Sequence, residues 1–400
     1  MHPLTHAAER LQKVNTTIMT NDELLSKTIS YLRFPLIVLV VFAHFSLNKG
    51  LDIHGTKYGL ENPDWFFFIV DLISETLARI VVPLFFIISG FLFFNRKDFN
   101  KDAYKLKLKS RVKTLFVPYI LWNIIAILWQ LKCLIPILSS FFQPVEIHIS
   151  FTRIFNTFFC NYDNGGIIVR PSTTGSSTGL EPINVPLWYI RDLMVMIILS
   201  PVFHWLIKRI GVWFVVIDGF IWFCLSLITP KDGYIWIYII AMLVTDSFFF
   251  SWGAYFSITK ENIVTHFRKF KFAPVLYAGF AIADVLTKGM DVNSFVHRIG
   301  ILLGIISAVV IVSYLLEHKK VKVNTTLANS TFFIYALHGL FIGELGKVIF
   351  IMLHIPDNNP YAMLILYFVV PIISVLVCLA LYVLLKNYSP KVCNLLTGGR

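Results

Sequence analysis

Long apolar runs separated by short polar stretches make up most of this chain. A bilayer-crossing helix needs about 20 mostly apolar residues. Ten runs approach that length, roughly 29–47, 65–94, 115–135, 187–207, 211–229, 234–258, 272–287, 294–316, 328–352 and 361–385. The second is too long for one straight crossing. It is expected to begin as an interfacial segment at Trp65, Phe66, Phe67 and Phe68 and to cross after Pro83, or with a kink there. The seventh is short and carries Asp284. The pattern predicts an all-α polytopic membrane protein with about ten transmembrane helices. Its parts are an N-terminal tail (1–28), a membrane domain (29–385) and a C-terminal tail (386–400). Residues 1–28 are polar and no small-residue cleavage site follows the first run, so that run is expected to stay as an uncleaved anchor.

Composition agrees. Of 400 residues, 56% are hydrophobic and 14% charged, too few charges to cover a soluble enzyme of this size and too much apolar surface for a disordered chain. The scarce charges are lopsided, with 35 Lys+Arg against 23 Asp+Glu. With the N-terminus in the cytoplasm, inside segments carry 23 basic residues and outside loops 6. That asymmetry is the topology signal of a membrane protein rather than a nucleic-acid footprint, and it puts both termini in the cytoplasm. The inside loop 95–114 is dense in Lys and Arg. It is a topology determinant on anionic lipid or, more sharply, a site for a phosphate-bearing ligand. The outside loop 136–186 contains FTRIFNTFF, suited to lying on the membrane surface, followed by NGG and STTGSSTG, expected to be flexible. The five cysteines form no CxxC pair and have no clustered His, so no metal site is expected. Cys133, Cys224 and Cys378 lie in apolar runs as small core residues.

Ionisable residues inside spans are costly and mark function. At about 1.5 Å of rise per residue, His44, Arg79, Arg191, Asp192, Arg298 and Glu344 come out about 22–27 Å from the cytoplasmic ends of five spans, in one layer. Arg298 and Lys347, near span ends, read as snorkelling side chains. His338, at about 15 Å, reads as structural or supporting. The first span is the most informative. Arg33 and His44 are eleven residues apart in it, about three helical turns, so they share a face some 16 Å apart along the axis. An Arg at the mouth suits an anionic ligand, and a neutral buried imidazole suits proton transfer.

These residues resemble the acyltransferase 3 family of integral-membrane acyltransferases over about residues 25–385. The resemblance rests on the Arg33–His44 spacing and on ARIVVPLFFIISGFLFF (Ala78 to Phe94), similar to the family's R-x-x-VPLFF-x-x-SG-[FY]-L pattern. KSRVKTLFVPY, PLWYIRDL with ILSP after it, and TFFIYALHGL follow in order. The resemblance implies transfer of an acyl group, usually acetyl, from cytoplasmic acyl-coenzyme A (acetyl-CoA) to a hydroxyl of a cell-envelope glycan or lipid-linked sugar, in a bacterial cytoplasmic (inner) membrane. Longer members carry an extracytoplasmic SGNH-type domain. Here 15 residues follow the last span, and the chain is expected to act alone, as a homodimer or with polysaccharide-assembly partners.

Carried over by position, His44 matches the family's catalytic His, Arg33 the basic residue required with it, and Arg79 the Arg before the VPLFF block. Arg111 matches the basic residue of a cytoplasmic R-x-x-R-type stretch, with Lys113 where a second Arg is expected. In the implied chemistry Arg33, Arg111 and Lys113 meet the phosphates of the donor. His44 is general base, and Arg79 stabilises the oxyanion or orients His44. Asp192 or Glu344 fixes the His tautomer. Trp188, Tyr189 and Arg191 are candidates for contact with the sugar. Ser89, in FIISGF, is either a covalent acyl carrier or a small residue for close helix packing. The competing reading is a transporter or flippase for a glycan or small anionic substrate, although no internal repeat is present.

Overall fold

The computed structural model describes residues 19–53, 55–95, 99–131, 146–160, 165–169, 180–225 and 235–399. Lys132, Cys133, the STTGSSTG stretch and most of the N-terminal tail lie outside them. Every one of the ten apolar runs is a helix where described. They are α1 (Asn21–Ala43), α2 (Asp64–Phe94), α3 (Lys101–Gln130), the pair α5 (Trp188–Ile198) and α6 (Ser200–Ile210), α7 (Val212–Leu225), α8 (Ile235–Ile258), α10 (Ala273–Leu286), α11 (Asn293–Glu317), α12 (Thr325–Met352) and α13 (Pro360–Tyr388). Shorter helices are α4 (Phe151–Phe159), α9 (Ile263–Phe267) and α14 (Pro390–Thr397). Two small antiparallel ribbons, β1–β2 (Leu51–Ile53 with Thr56–Tyr58) and β3–β4 (Glu146–Ile147 with Ile168–Val169), sit in the expected outside loops.

Among the described residues, seven helices are long and apolar enough to cross a bilayer, and the α5–α6 pair makes an eighth if taken as one span. That pair bends by 58° around Leu199. Pro201 follows at the start of α6, where it lacks an N–H and its ring would collide with the carbonyl four residues back. The other two runs, α7 and α10, are shorter apolar helices.

Proline also shapes α2, one turn earlier than the sequence suggests. The helix does not kink at Pro83. It widens into a π-turn at Leu72–Leu77, tightens into a 3-10 turn at Ala78–Ile80, and resumes as α-helix from Val81. Pro83 would face the carbonyl of Arg79, and the irregular turns just before it absorb the conflict. The widened turn also docks the helix. Ser74 Oγ donates to the Phe42 carbonyl (2.9 Å) and lies 2.8 Å from the Tyr367 hydroxyl, while Thr76 Oγ1 donates to Asp284 (2.8 Å). The same device recurs in α3, where a π-turn at Val112–Phe116 precedes Pro118.

The interior is one large apolar core with a small separate cluster of Ala126, Ile168 and Ile183. Its tightest crossing is α2 against α8. A Cβ on Gly90 would collide with the Phe250 carbonyl oxygen, and one on Gly253 with the Ile87 carbonyl oxygen. With no side chains between them, the two backbones come into direct contact, the usual role of small residues in membrane helix pairs. The chain's last helix also packs inward. Trp122 Nε1 donates to the Leu396 carbonyl (2.9 Å), and Gly398 sits against Thr114 of α3 with a left-handed φ of 69°. Between α3 and α5, α4 turns Phe151 and Phe155 outward and buries Thr157, as a surface-lying amphipathic segment does.

The crossing predicts a contrast between glycines. Gly90→Ala and Gly253→Ala force backbone to move and are expected to destabilise the detergent-solubilised protein by about 1–3 kcal/mol. Gly279→Ala adds a methyl where nothing lies within 4 Å and is expected to be neutral or stabilising. Thermal unfolding of the three variants checks this; equal melting temperatures would refute the contact.

Candidate functional site

The motif blocks, scattered over 300 positions, line a single cavity of about 300 Å³. α1 contributes Arg33, α2 Phe85 and Ser89, α3 Arg111 and Leu115, α5 Tyr189 and Leu193, and α12 Phe332 and Tyr335. Most of the wall is aliphatic or aromatic, with polar groups at a few points. Ser89 and Tyr189 share a hydroxyl–hydroxyl hydrogen bond of 2.9 Å, and the Tyr189 hydroxyl also reaches the Phe85 carbonyl at 3.3 Å. Tyr335 donates to the Pro186 carbonyl, tying α12 to the entry of α5. Gly90 does the close packing expected of the Ser-Gly pair, which leaves the Ser89 hydroxyl on the cavity side.

A second cavity of about 780 Å³ adjoins the first, and the two share Arg33 and Leu92 in their walls. It lies among the N-terminal turns of α1, the end of α2, α6 and the α8–α9 connection, with His204, Lys208, Lys260 and Asn262 in its lining. All of these lie on the face that the charge asymmetry of the loops predicts to be cytoplasmic. Arg33 thus stands at a neck between a polar outer chamber and an apolar deep one. Among the described residues neither Arg33 nor Arg111 makes an ion pair or a hydrogen bond to a carboxylate. Lys113 is exposed and lines neither chamber.

His44 is the C-terminal cap of α1, its N–H bonded to the Val40 carbonyl at 3.1 Å. α1 is helical through Arg33 to Ala43, so the three-turn relation to Arg33 holds. The His44 ring stacks on His338, with centroids 5.1 Å apart and planes 14° from parallel. His338 is fully buried. Its Nδ1 lies 2.9 Å from the Ile334 carbonyl, an acceptor only, which makes Nδ1 the protonated nitrogen. Its Nε2 is buried with no hydrogen-bond partner among the described residues. Tyr335, in the wall of the deep chamber, lies 6.5 Å from His338 between centroids. The order from the chamber outward is therefore Tyr335, His338, His44. Arg79 is within electrostatic range of His44. Its guanidinium is exposed and held by Glu75, with Nε 3.1 Å from Oε2.

The remaining expected residues sit elsewhere. Asp192 is buried and engaged through both oxygens by Arg191, at 2.7 and 3.2 Å. Arg191 also donates to the Phe159 carbonyl (2.6 Å) and to the Leu180 carbonyl, so it staples the end of α4 and the approach to α5 to the bundle. Trp188 is half-buried, packed on the core beside Tyr189. Glu344 is half-buried, six residues beyond His338 on α12. The sequence reading missed Tyr335 as a wall residue and Lys208 and Lys260 as chamber residues. Their signal was present: Tyr335 falls inside TFFIYALHGL, and both lysines lie at the same membrane face as Arg33, where they read as topology markers alone. No cluster of three or more His, Cys, Asp or Glu able to hold a metal occurs among the described residues.

The chemistry available is a deep apolar pocket entered past an arginine, a hydroxyl pair within it, and a stacked imidazole pair beyond its wall. The chain is 25% identical to the succinoglycan biosynthesis protein ExoH of Rhizobium meliloti (strain 1021) over 398 residues, covering 95% of this chain and 94% of that one. No solved structure matches. The family profile described as an acyltransferase domain matches residues 27–383, nearly the whole membrane region, and the chain belongs to this acyltransferase 3 family of membrane enzymes.

Proposed function

We propose that this enzyme moves an acyl group, acetyl in the simplest case, from cytoplasmic acyl-coenzyme A to a hydroxyl of an extracytoplasmic or lipid-linked glycan, in the inner membrane of a bacterium. The convergence of the five motif blocks on one deep chamber, entered past Arg33, carries this reading. A donor with phosphates at one end and a long thin arm at the other suits a path that is basic at its mouth and apolar at depth. The relative's part in succinoglycan biosynthesis, over nearly its full length, supports a polysaccharide acceptor.

In the mechanism, Arg33 and Arg111 hold the donor by charge while the acyl end passes through the deep chamber to the imidazole pair beyond its wall. His44 takes the proton of the acceptor hydroxyl as its oxygen attacks the thioester carbonyl. The carbon–sulfur bond breaks, and the departing thiolate recovers the proton from the imidazolium. His338 stacks on the His44 ring and fixes its plane. Because Glu75 holds the exposed Arg79 guanidinium, direct contact of Arg79 with the oxyanion is disfavoured. Transfer is direct. The hydroxyl neighbour of Ser89 is a phenol, not an imidazole or carboxylate that would activate it as a nucleophile.

Two outcomes follow. His44→Ala is expected to lower transfer of labelled acetyl from acetyl-CoA to the cell's polysaccharide fraction by about 10²-fold or more, at unchanged membrane abundance. Transfer near the unmodified rate would remove His44 from the mechanism, and a transported but unacylated glycan would favour a transporter. Ser89→Ala is expected to keep activity within about tenfold, since a hydroxyl–hydroxyl bond is worth about 1 kcal/mol. Labelled acetyl bound covalently to the unmodified protein, and absent from Ser89→Ala, would instead establish an acyl-enzyme.

A further inference from the structure

The outer chamber holds more than the acyl transfer step requires. Its volume of about 780 Å³ is more than twice that of the deep chamber, and only Arg33 and Leu92 border both. Two of its cations, Lys208 at the end of α6 and Lys260 just past α8, are outside the sequence-based site, and neither makes an ion pair among the described residues. Two acids also border the chamber. Glu261 lies 3.5 Å from His266, which is an ion pair only when the imidazole is protonated, and Asp22 sits in the first turn of α1, where the helix N-terminus favours a negative charge. His204 forms an aromatic wall with Phe99, at 4.9 Å, and with Phe94, at 6.1 Å.

Lys260 is also placed at a conformational cost. It follows α8 with φ of 60°, in the left-handed region, where the Glu261 N–H closes the helix end on the Phe256 carbonyl at 2.8 Å. Glycine is the residue that adopts this position freely. Lys319 and His354 adopt similar backbones after α11 and α12, but neither lines a chamber.

Resting on the reading of coenzyme A as donor, we propose that the outer chamber is a nucleotide subsite in which Lys208 and Lys260 bind the phosphate on the ribose of the donor. Arg33 at the neck then meets the diphosphate, the point where the nucleotide ends and the arm begins. The purine rests on the Phe99–His204 wall. The subsite selects the donor by a group remote from the reacting carbon, and so separates coenzyme A from thioesters on other carriers.

The test uses the purified full-length protein in detergent, titrated calorimetrically with coenzyme A and with 3′-dephospho-coenzyme A. The unmodified protein is expected to bind coenzyme A at least tenfold more tightly. In the double variant Lys208→Gln with Lys260→Gly that preference is expected to disappear, with the two ligands bound equally. Lys260→Gly alone is expected to melt no lower than the unmodified protein, since glycine relieves the left-handed backbone, so its loss of preference cannot be assigned to unfolding. A double variant that still prefers coenzyme A as strongly as the unmodified protein overturns the subsite and leaves the donor assignment standing. An unmodified protein that binds neither ligand overturns both.

Discussion

The bilayer contains no water to satisfy a buried charge, so every ionisable group in the bundle must be met by the protein or by something that enters it. Most are met internally. Asp192 and Arg191 bind each other. Arg79 is held by Glu75, and Asp284 gathers His297, Thr76 and Asn293. Asp218 accepts from Ser247 and Ser251. Arg298 rests over the Trp222 ring with no anion among the described residues, and Arg33 and Arg111 share one chamber with no anion from the described chain. Leaving a cation unpaired in a low-dielectric site costs several kcal/mol, which an enzyme tolerates where a substrate supplies the missing charge. The rest of the site is organised around that deficit, with the neck at Arg33, an apolar pocket behind it and imidazoles beyond.

α2 joins this chemistry to the fold. Its π-turn docks on α1, α10 and α13 through Ser74 and Thr76, its 3-10 turn carries Arg79, and its regular half presents Ser89 to the chamber while Gly90 locks onto α8. A uniform helix would rotate these groups by a fixed 100° per residue. The widened turn changes the phase between Arg79 and the residues before it, so one element serves both the core and the cavity.

Much of this was legible in the sequence. Apolar runs identify helices because the bilayer imposes their length and composition, and each of the ten is a helix where described. The spacing of Arg33 and His44 translated directly, since α1 is regular between them. Positions set by local backbone exceptions were not legible. Pro83 announces an irregularity but not that the helix absorbs it one turn earlier. His44 reads as a residue within a span, yet it ends the helix. The layer of charges at one depth turned out to contain different things: Arg191 and Asp192 satisfy each other, while His44 stacks on His338, which the depth estimate had set apart. Depth along a helix is readable from sequence, but the direction a side chain faces across the bundle depends on neighbours hundreds of residues away. Lys208 and Lys260 show the same limit, because a cation counted for topology looks identical to one that borders a cavity.

The α2–α8 crossing has a genetic consequence. Where a glycine faces a side chain, as Gly346 faces the ring of Phe45 and Gly219 that of Phe248, a larger residue can be accommodated by trimming the opposing ring at a second site. Gly90 and Gly253 instead face carbonyl oxygens, which every amino acid carries. No exchange on the opposing helix removes that obstacle. Suppressor selections should therefore rescue lesions at 219 and 346 through the opposing residues Phe248 and Phe45, while lesions at 90 and 253 revert only at their own codons.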